Sequence, residues 1–269
     1  MKKTGERSLA GLFAITTVAM LMLASCQGGV FNFLAADTPT PTLTFTPTPT
    51  FTPSPTPTST QTPSPTPVPT GVEVLDQPDG SIVFIDYDNK YQITLPADWF
   101  VLPLSADDIG KIMSAAETEN PDLQAAVEAF KQLDPNVIRV IAINKDSTYI
   151  FRDFSTNISV TALKDNLLSA MPVAFVTGVL ESQLEQSGAT VVPVENLAIT
   201  NSNGVEIGLL EFKQQAPTAS GATITAQSKV LVFQSGGALI SIQLAVPEQF
   251  AAELFPVMDA IAESINVLE

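Results

Sequence analysis

Residues 81–86 hold a short apolar run and residues 91–95 alternate, with Tyr91, Ile93 and Leu95 on one face, a pattern that predicts two paired strands joined by a turn at Asp88-Asn89-Lys90. Pro96 halts that pairing. Trp99-Phe100 follows in a loop or short strand, where the large apolar pair is expected to seal one end of the core. Ser105 with Asp107 and Asp108 marks a helix start, because acids favour the positive end of the helix dipole, and Pro121-Asp122 restarts a second helix reaching about Leu133. The Ile- and Val-rich stretch 137–144 predicts a central strand, 157–163 another strand, and 164–186 a helix stopped by Gly188. The apolar run 167–180 inside that helix is interrupted by Pro172 and Gly178 and is too short to cross a bilayer, so it reads as a buried helix face. Four strands follow near 190–199, 205–213, 223–234 and 238–245, with Asn203-Gly204 and Ser235-Gly236-Gly237 as natural turns. Pro247 opens a last helix through Ser264, in which Phe250, Leu254, Val257, Met258 and Ile261 recur at helical spacing. Helices before a strand meander and a closing helix after it predict an α+β domain, an antiparallel sheet covered by helices, over residues 71–269.

The chain before residue 71 follows different rules. Lys2, Lys3 and Arg7 face a single acid, Glu6, and residues 9–23 are an uncharged run of mostly large apolar side chains. That run is shorter than the roughly 18–20 residues a spanning helix needs, so residues 1–25 are expected to be a removable export signal. It ends in Leu23-Ala24-Ser25-Cys26, which resembles the bacterial lipobox. The resemblance implies cleavage before Cys26, diacylglycerol on its thiol and acylation of the new amine, which makes the lipid bilayer a partner through Cys26. An ordinary cleaved signal with an incidental cysteine is the alternative. Two or three acyl chains anchor stably where one is marginal. Cys26 is the one cysteine of the chain, so no intramolecular disulfide forms and the exported domain relies on its core.

Residues 26–37 form a leader in which Phe31, Phe33 and Leu34 either rest among lipid headgroups or have no role. Residues 38–70 contain 14 Thr, 11 Pro and 3 Ser and no charge, a composition that cannot build a core and is expected to be a disordered stalk. Thr-Pro and Ser-Pro steps favour extended polyproline II, which at about 3.1 Å per residue reaches on the order of 100 Å over such a length. Its Thr density permits O-glycosylation, depending on the host.

Charge narrows the function of the remainder. Removing Glu6 and Asp37 from the 28 acids, and Lys2, Lys3 and Arg7 from the 12 bases, leaves 26 against 9 and a net charge of −17 for residues 71–269. Nucleic acid is therefore no expected partner. The chain has no histidine, which removes Ser-His-Asp and Cys-His nucleophiles and the commonest neutral metal ligand. No Gly-rich phosphate loop, Ser-x-x-Lys or Gly-x-Ser-x-Gly signature is present, and no cofactor is expected.

Paired carboxylates are the remaining chemistry. Asp86 and Asp88 share one side of a strand end, and Glu117, Glu119 and Asp122 cluster between the two early helices; either set offers oxygen ligands, but neither has an EF-hand spacing, and a solvated surface is the expected reading. Trp99 and Tyr91 either line a ligand groove or, as expected, belong to the core. Asn157-Ile158-Ser159 matches a glycosylation acceptor and is read as strand.

Tyr91-Gln92-Ile93-Thr94-Leu95-Pro96-Ala97-Asp98-Trp99 resembles the opening strand and proline–tryptophan corner of PsbP-like domains. The strand pair around Gln234-Ser235-Gly236-Gly237 and the final Ile261-Ala262-Glu263-Ser264-Ile265 resemble the end of the same family. The resemblance implies an αβα sandwich without catalytic or metal-binding residues, of a kind that includes accessory subunits, assembly helpers and surface lipoproteins. The expected function is a surface-anchored lipoprotein presenting a noncatalytic binding or accessory domain to an envelope protein partner. The alternative is a secreted hydrolase that uses two carboxylates on envelope polymers.

Overall fold

The computed structural model describes residues 69–103, 137–152, 154–165, 167–218 and 222–269. The export signal, Leu23, Ala24, Ser25 and Cys26, nearly all of the stalk, the two early helices and the acids Glu117, Glu119 and Asp122 lie outside the described residues.

Two antiparallel sheets make up the frame. The smaller contains β1 (Val72–Asp76), β2 (Ile82–Asp86), β3 (Tyr91–Leu95) and β14 (Asn266–Val267), in that order. The larger contains β4 (Trp99–Pro103), β5 (Ile138–Asn144), β8 (Asn157–Lys164), β9 (Thr190–Val192), β10 (Ala198–Thr200), β11 (Glu206–Pro217), β12 (Thr223–Ser235) and β13 (Ala238–Pro247). Its order is β10-β11-β12-β13-β8-β5-β4, and β9 also pairs with β11. A short hairpin of β6 (Ile150–Phe151) and β7 (Phe154–Ser155) precedes β8.

Strand alternation sorts the long strands of the large sheet onto two cores. Leu231 and Phe233 of β12, with Ile240, Ile242 and Leu244 of β13, join the core shared with the small sheet. Val230, Val232 and Leu239 point the other way, into a cluster with Leu210 and Phe212. Both faces are covered, so these strands read as nearly continuous apolar runs. Helix α1 (Val173–Gln186) covers the second face over β9, β11 and β12, while α2 (Ala251–Ser264) touches β3 of the small sheet and β12 and β13 of the large one. Leu254, Met258 and Ile261 of α2 are buried, at the spacing the sequence predicts. Its last turn is closed by Asn201, whose Nδ2 donates to the carbonyls of Ala262 at 2.9 Å and Ile265 at 2.8 Å, answering carbonyls that have no partner within the helix.

Several elements differ from expectation. The single expected sheet is two, because Pro96 ends β3 and the chain then pairs with β5 through Trp99↔Asn144. Trp99 is buried, but Phe100, on the opposite face of β4, is 38% exposed, so the pair does not act as one plug. The expected helix over 164–186 begins only at Val173. Lys164 still pairs with Ala238, Asp165 Oδ1 accepts from the backbone of Leu167 and Leu168, a short 3-10 turn follows, and Pro172 takes the cap position. The run 167–180 is therefore not one buried face: Val173, Val176 and Thr177 are buried, while Leu167, Phe175 and Val179 are exposed. The strand expected over 190–199 is two, β9 and β10, lying along successive stretches of β11 on either side of Pro193. The strand expected to be central, β5, lies between β8 and the edge strand β4.

Candidate functional site

The strongest concentration of buried polar groups forms where β2 turns into β3. The apolar run of β2 leads into the core as far as Asp86, which is fully buried, and the chain reverses through residues 87–90, with Lys90 in the left-handed region at φ 57°. A buried carboxylate requires compensation. It comes from Arg139, 53 residues away on β5. Ile138 pairs with Thr161 and Val140 with Val160, leaving Arg139 as the extra residue of a β-bulge. Such a bulge re-aims a side chain, and here the guanidinium reaches the small sheet.

The geometry is bidentate. Arg139 Nε donates to Asp86 Oδ2 at 2.7 Å and Nη2 to Asp86 Oδ1 at 3.0 Å, while Nη2 also donates to Asp88 Oδ2 at 2.9 Å. Asn89 completes the shell of Asp86, its backbone N–H donating to Oδ1 at 3.2 Å and its Nδ2 to Oδ2 at 2.7 Å. Asp88, on the solvent side, accepts the backbone N–H of Gly71 on Oδ1 at 2.8 Å. That bond, reinforced by Arg139, holds the Asp88 carboxyl below the ordinary aspartate range against partial desolvation. Burial would lower the Arg139 guanidinium, but the hydrogen bonds and charge of Asp86, seconded by Asp88, outweigh it and raise it.

Tyr91 borders this cluster, its ring packed edge-on to Phe233 at 5.4 Å and tilted against Phe84 at 6.2 Å. Its hydroxyl is pushed well above its ordinary value, first by burial and then by the charge of Asp86; among the described residues neither it nor Asn89 Oδ1 has a partner in hydrogen-bonding geometry. Gly236 closes the far side. At φ 57° it lies so near the turn that a Cβ there would stand 2.6 Å from the carbonyl oxygen of Asn89, and Ser235 Oγ donates to the carbonyl of Lys90 at 2.7 Å.

Asp86 is thus not the solvated acid the sequence led us to expect. With Asp88 it is held by Arg139, an arrangement that joins two sheets and keeps Asp86 from contact with any solute. Tyr91 and Trp99 belong to the core. Among the described residues no group of three or more Asp, Glu, His or Cys is placed to share a metal ion. Arg139 went unrecognised in the sequence, although a base inside Val137-Ile138-Arg139-Val140-Ile141 carries a signal: an arginine amid a buried strand needs an acid opposite it.

Two surface features remain. A shallow groove of 290 Å³ lies between Val173, the β10–β11 turn at Asn203 and Gly204, Gln234 and β14. Gln234 Nε2 donates to the carbonyls of Leu168 at 2.8 Å and Met171 at 2.7 Å, fixing the approach to α1. On the outer side of α1, Phe175 is 57% exposed and Val179, one turn on, is also exposed.

No protein-family model and no curated protein matches the chain. Solved structures are similar to it in outline. Cyanobacterial PsbP (CyanoP) of Synechocystis sp. PCC 6803 aligns over 74% of this chain and 93% of its own, at 16% identity and a TM-score of 0.40. LpqN of Mycobacterium tuberculosis, described as involved in cell envelope biogenesis, aligns over 74% and 91%, at 14% identity and a TM-score of 0.37. PA94 of Pseudomonas aeruginosa, a protein of unknown function, aligns over 49% and 84%, at 11% identity and a TM-score of 0.38. These likenesses are of coarse architecture and carry no residue roles.

Proposed function

We propose that this chain is an envelope lipoprotein, acylated at Cys26, that presents a noncatalytic accessory domain on a Thr/Pro stalk to a protein partner. The observation that carries the noncatalytic half is the engagement of Asp86 and Asp88 by Arg139, which ties up the acid pair that the sequence offers within the described residues. A carboxylate hydrolase needs two acids facing a substrate about 5–10 Å apart, and Asp86 faces none. The anchoring half rests on Leu23-Ala24-Ser25-Cys26, and the reach on the stalk that follows. Contact with a partner is supported by Phe175, since aromatic side chains are enriched at protein interfaces and this one is largely exposed.

The test is crosslinking and co-purification of the native protein from its own membranes beside a Cys26→Ala form. A discrete partner enriched with the anchored form supports the reading. Absence of any partner from both forms, together with cleavage of an envelope polymer, overturns it in favour of a hydrolase.

A further inference from the structure

We propose that the turn at residues 87–90 is a latch that clamps the start of the domain, tying the entry to β1 to the segment after β14 and to the large sheet. Gly71, immediately before β1, donates its N–H to Asp88 Oδ1 at 2.8 Å and accepts at its carbonyl from the N–H of Tyr87 at 2.9 Å. Tyr87 Oη donates to Glu73 Oε2 at 2.6 Å, a further tie to β1. From the same turn, the carbonyl of Lys90 accepts Leu268 N at 2.8 Å and Ser235 Oγ at 2.7 Å. The entry to β1 and the exit from β14 therefore meet on one reversal, and Asp88 fastens that reversal to Arg139 of the large sheet.

The position matters because β1 is weakly held by its own packing. It is an edge strand, paired with β2 on one side, and none of its five residues is fully buried. Tension from the stalk arrives at Gly71 and would open the ladder from the Val72↔Asp86 pair, one residue at a time. The bonds from residues 87 and 88 stand across that opening. Acting in this way under load rests on the stalk proposed above; the latch itself does not.

Amide hydrogen exchange of the full chain carrying Cys26→Ala tests it without any lipid. Asp88→Ala removes the acceptor of the Gly71 N–H, whereas Asp146→Ala removes an exposed acid that caps the turn after β5 by accepting from Thr148. The latch predicts that Asp88→Ala speeds exchange over Val72–Asp76 about tenfold, the weight of one charge-assisted hydrogen bond, while β12 and β13 are unchanged and Asp146→Ala leaves β1 as it was. Asp88→Asn, which retains an acceptor oxygen, falls between. Unchanged β1 exchange in Asp88→Ala overturns the proposal, as does acceleration of every strand together. If Asp88→Ala does not fold, the Asn variant decides on the same criterion. Mass measurement of native Cys26 separately decides anchoring, so either reading can fail alone.

Discussion

Arg139 and Asp86 are the pair that joins the two sheets, with Nε to Oδ2 at 2.7 Å and Asp86 fully buried. Removing the base leaves a buried carboxylate with the two Asn89 hydrogen bonds but without its guanidinium counter-charge. Arg139→Met is expected to cost about 3–5 kcal/mol in denaturant unfolding, while Asp86→Leu with Arg139→Met recovers most of the loss, because a buried ion pair adds little over apolar groups of similar size. A double variant no more stable than the single one would show that Asn89 and Asp88 need the charge for their own placement.

Gly236 and Gly237 are adjacent and both have positive φ, yet their surroundings differ. A Cβ on Gly236 meets the backbone of Asn89 at 2.6–2.9 Å, whereas one on Gly237 meets nothing within 4 Å. Gly237→Ala is expected to cost about 1–2 kcal/mol, the strain of the left-handed region. Gly236→Ala adds to similar strain a clash that backbone must relieve, and its midpoint in thermal unfolding should lie clearly below that of Gly237→Ala. Equal midpoints would mean that the turns at 87–90 and 235–237 are not in tight contact.

Acid should loosen β1 through Asp88. The Gly71 N–H, with Arg139 adding, holds this carboxyl below its ordinary 3.8, so the folded state favours the ionised form. Its stabilising contribution is fully present above about pH 4 and disappears as pH falls through the lowered folded value. The difference in β1 exchange between the native chain and Asp88→Asn should therefore be constant from pH 7 down to about 4 and shrink below it. A difference that grows on acidification would contradict the direction assigned to Asp88.

Phe175 touches solvent rather than core, which separates stability from recognition. Phe175→Ser is expected to change unfolding free energy by no more than about 0.5 kcal/mol, as surface substitutions do, while weakening capture of the proposed envelope partner. Retained capture by a stable Phe175→Ser protein would place the contact elsewhere. Its buried neighbour Val176 is the contrast, since Val176→Ala is expected to lower stability by removing contacts with Leu210 and Phe212 in the cluster beneath α1.

Period and punctuation made much of this domain legible. Tyr91, Ile93 and Leu95 share a buried face as their alternation predicts, Gly188 ends α1 at φ 89°, and Leu254, Met258 and Ile261 bury one stripe of α2. These properties depend on neighbours within a few residues, and so the chain determines them locally. The lipobox-like motif ending at Cys26 and the Thr/Pro composition are likewise matters of sequence. Tertiary structure decided the rest. Phe175 and Val179 look as apolar as Val173 and Val176, and it is the close approach of α1 to Gly208, where a Cβ would collide with Thr177, that sets which of them turn inward. Asp86 looks like an exposed turn acid until a bulge in β5 delivers Arg139 to it. A period specifies which side of a strand is buried, but not which distant strand it meets or in what register; those depend on closure of the whole sheet, and with them went the partner of every buried charge.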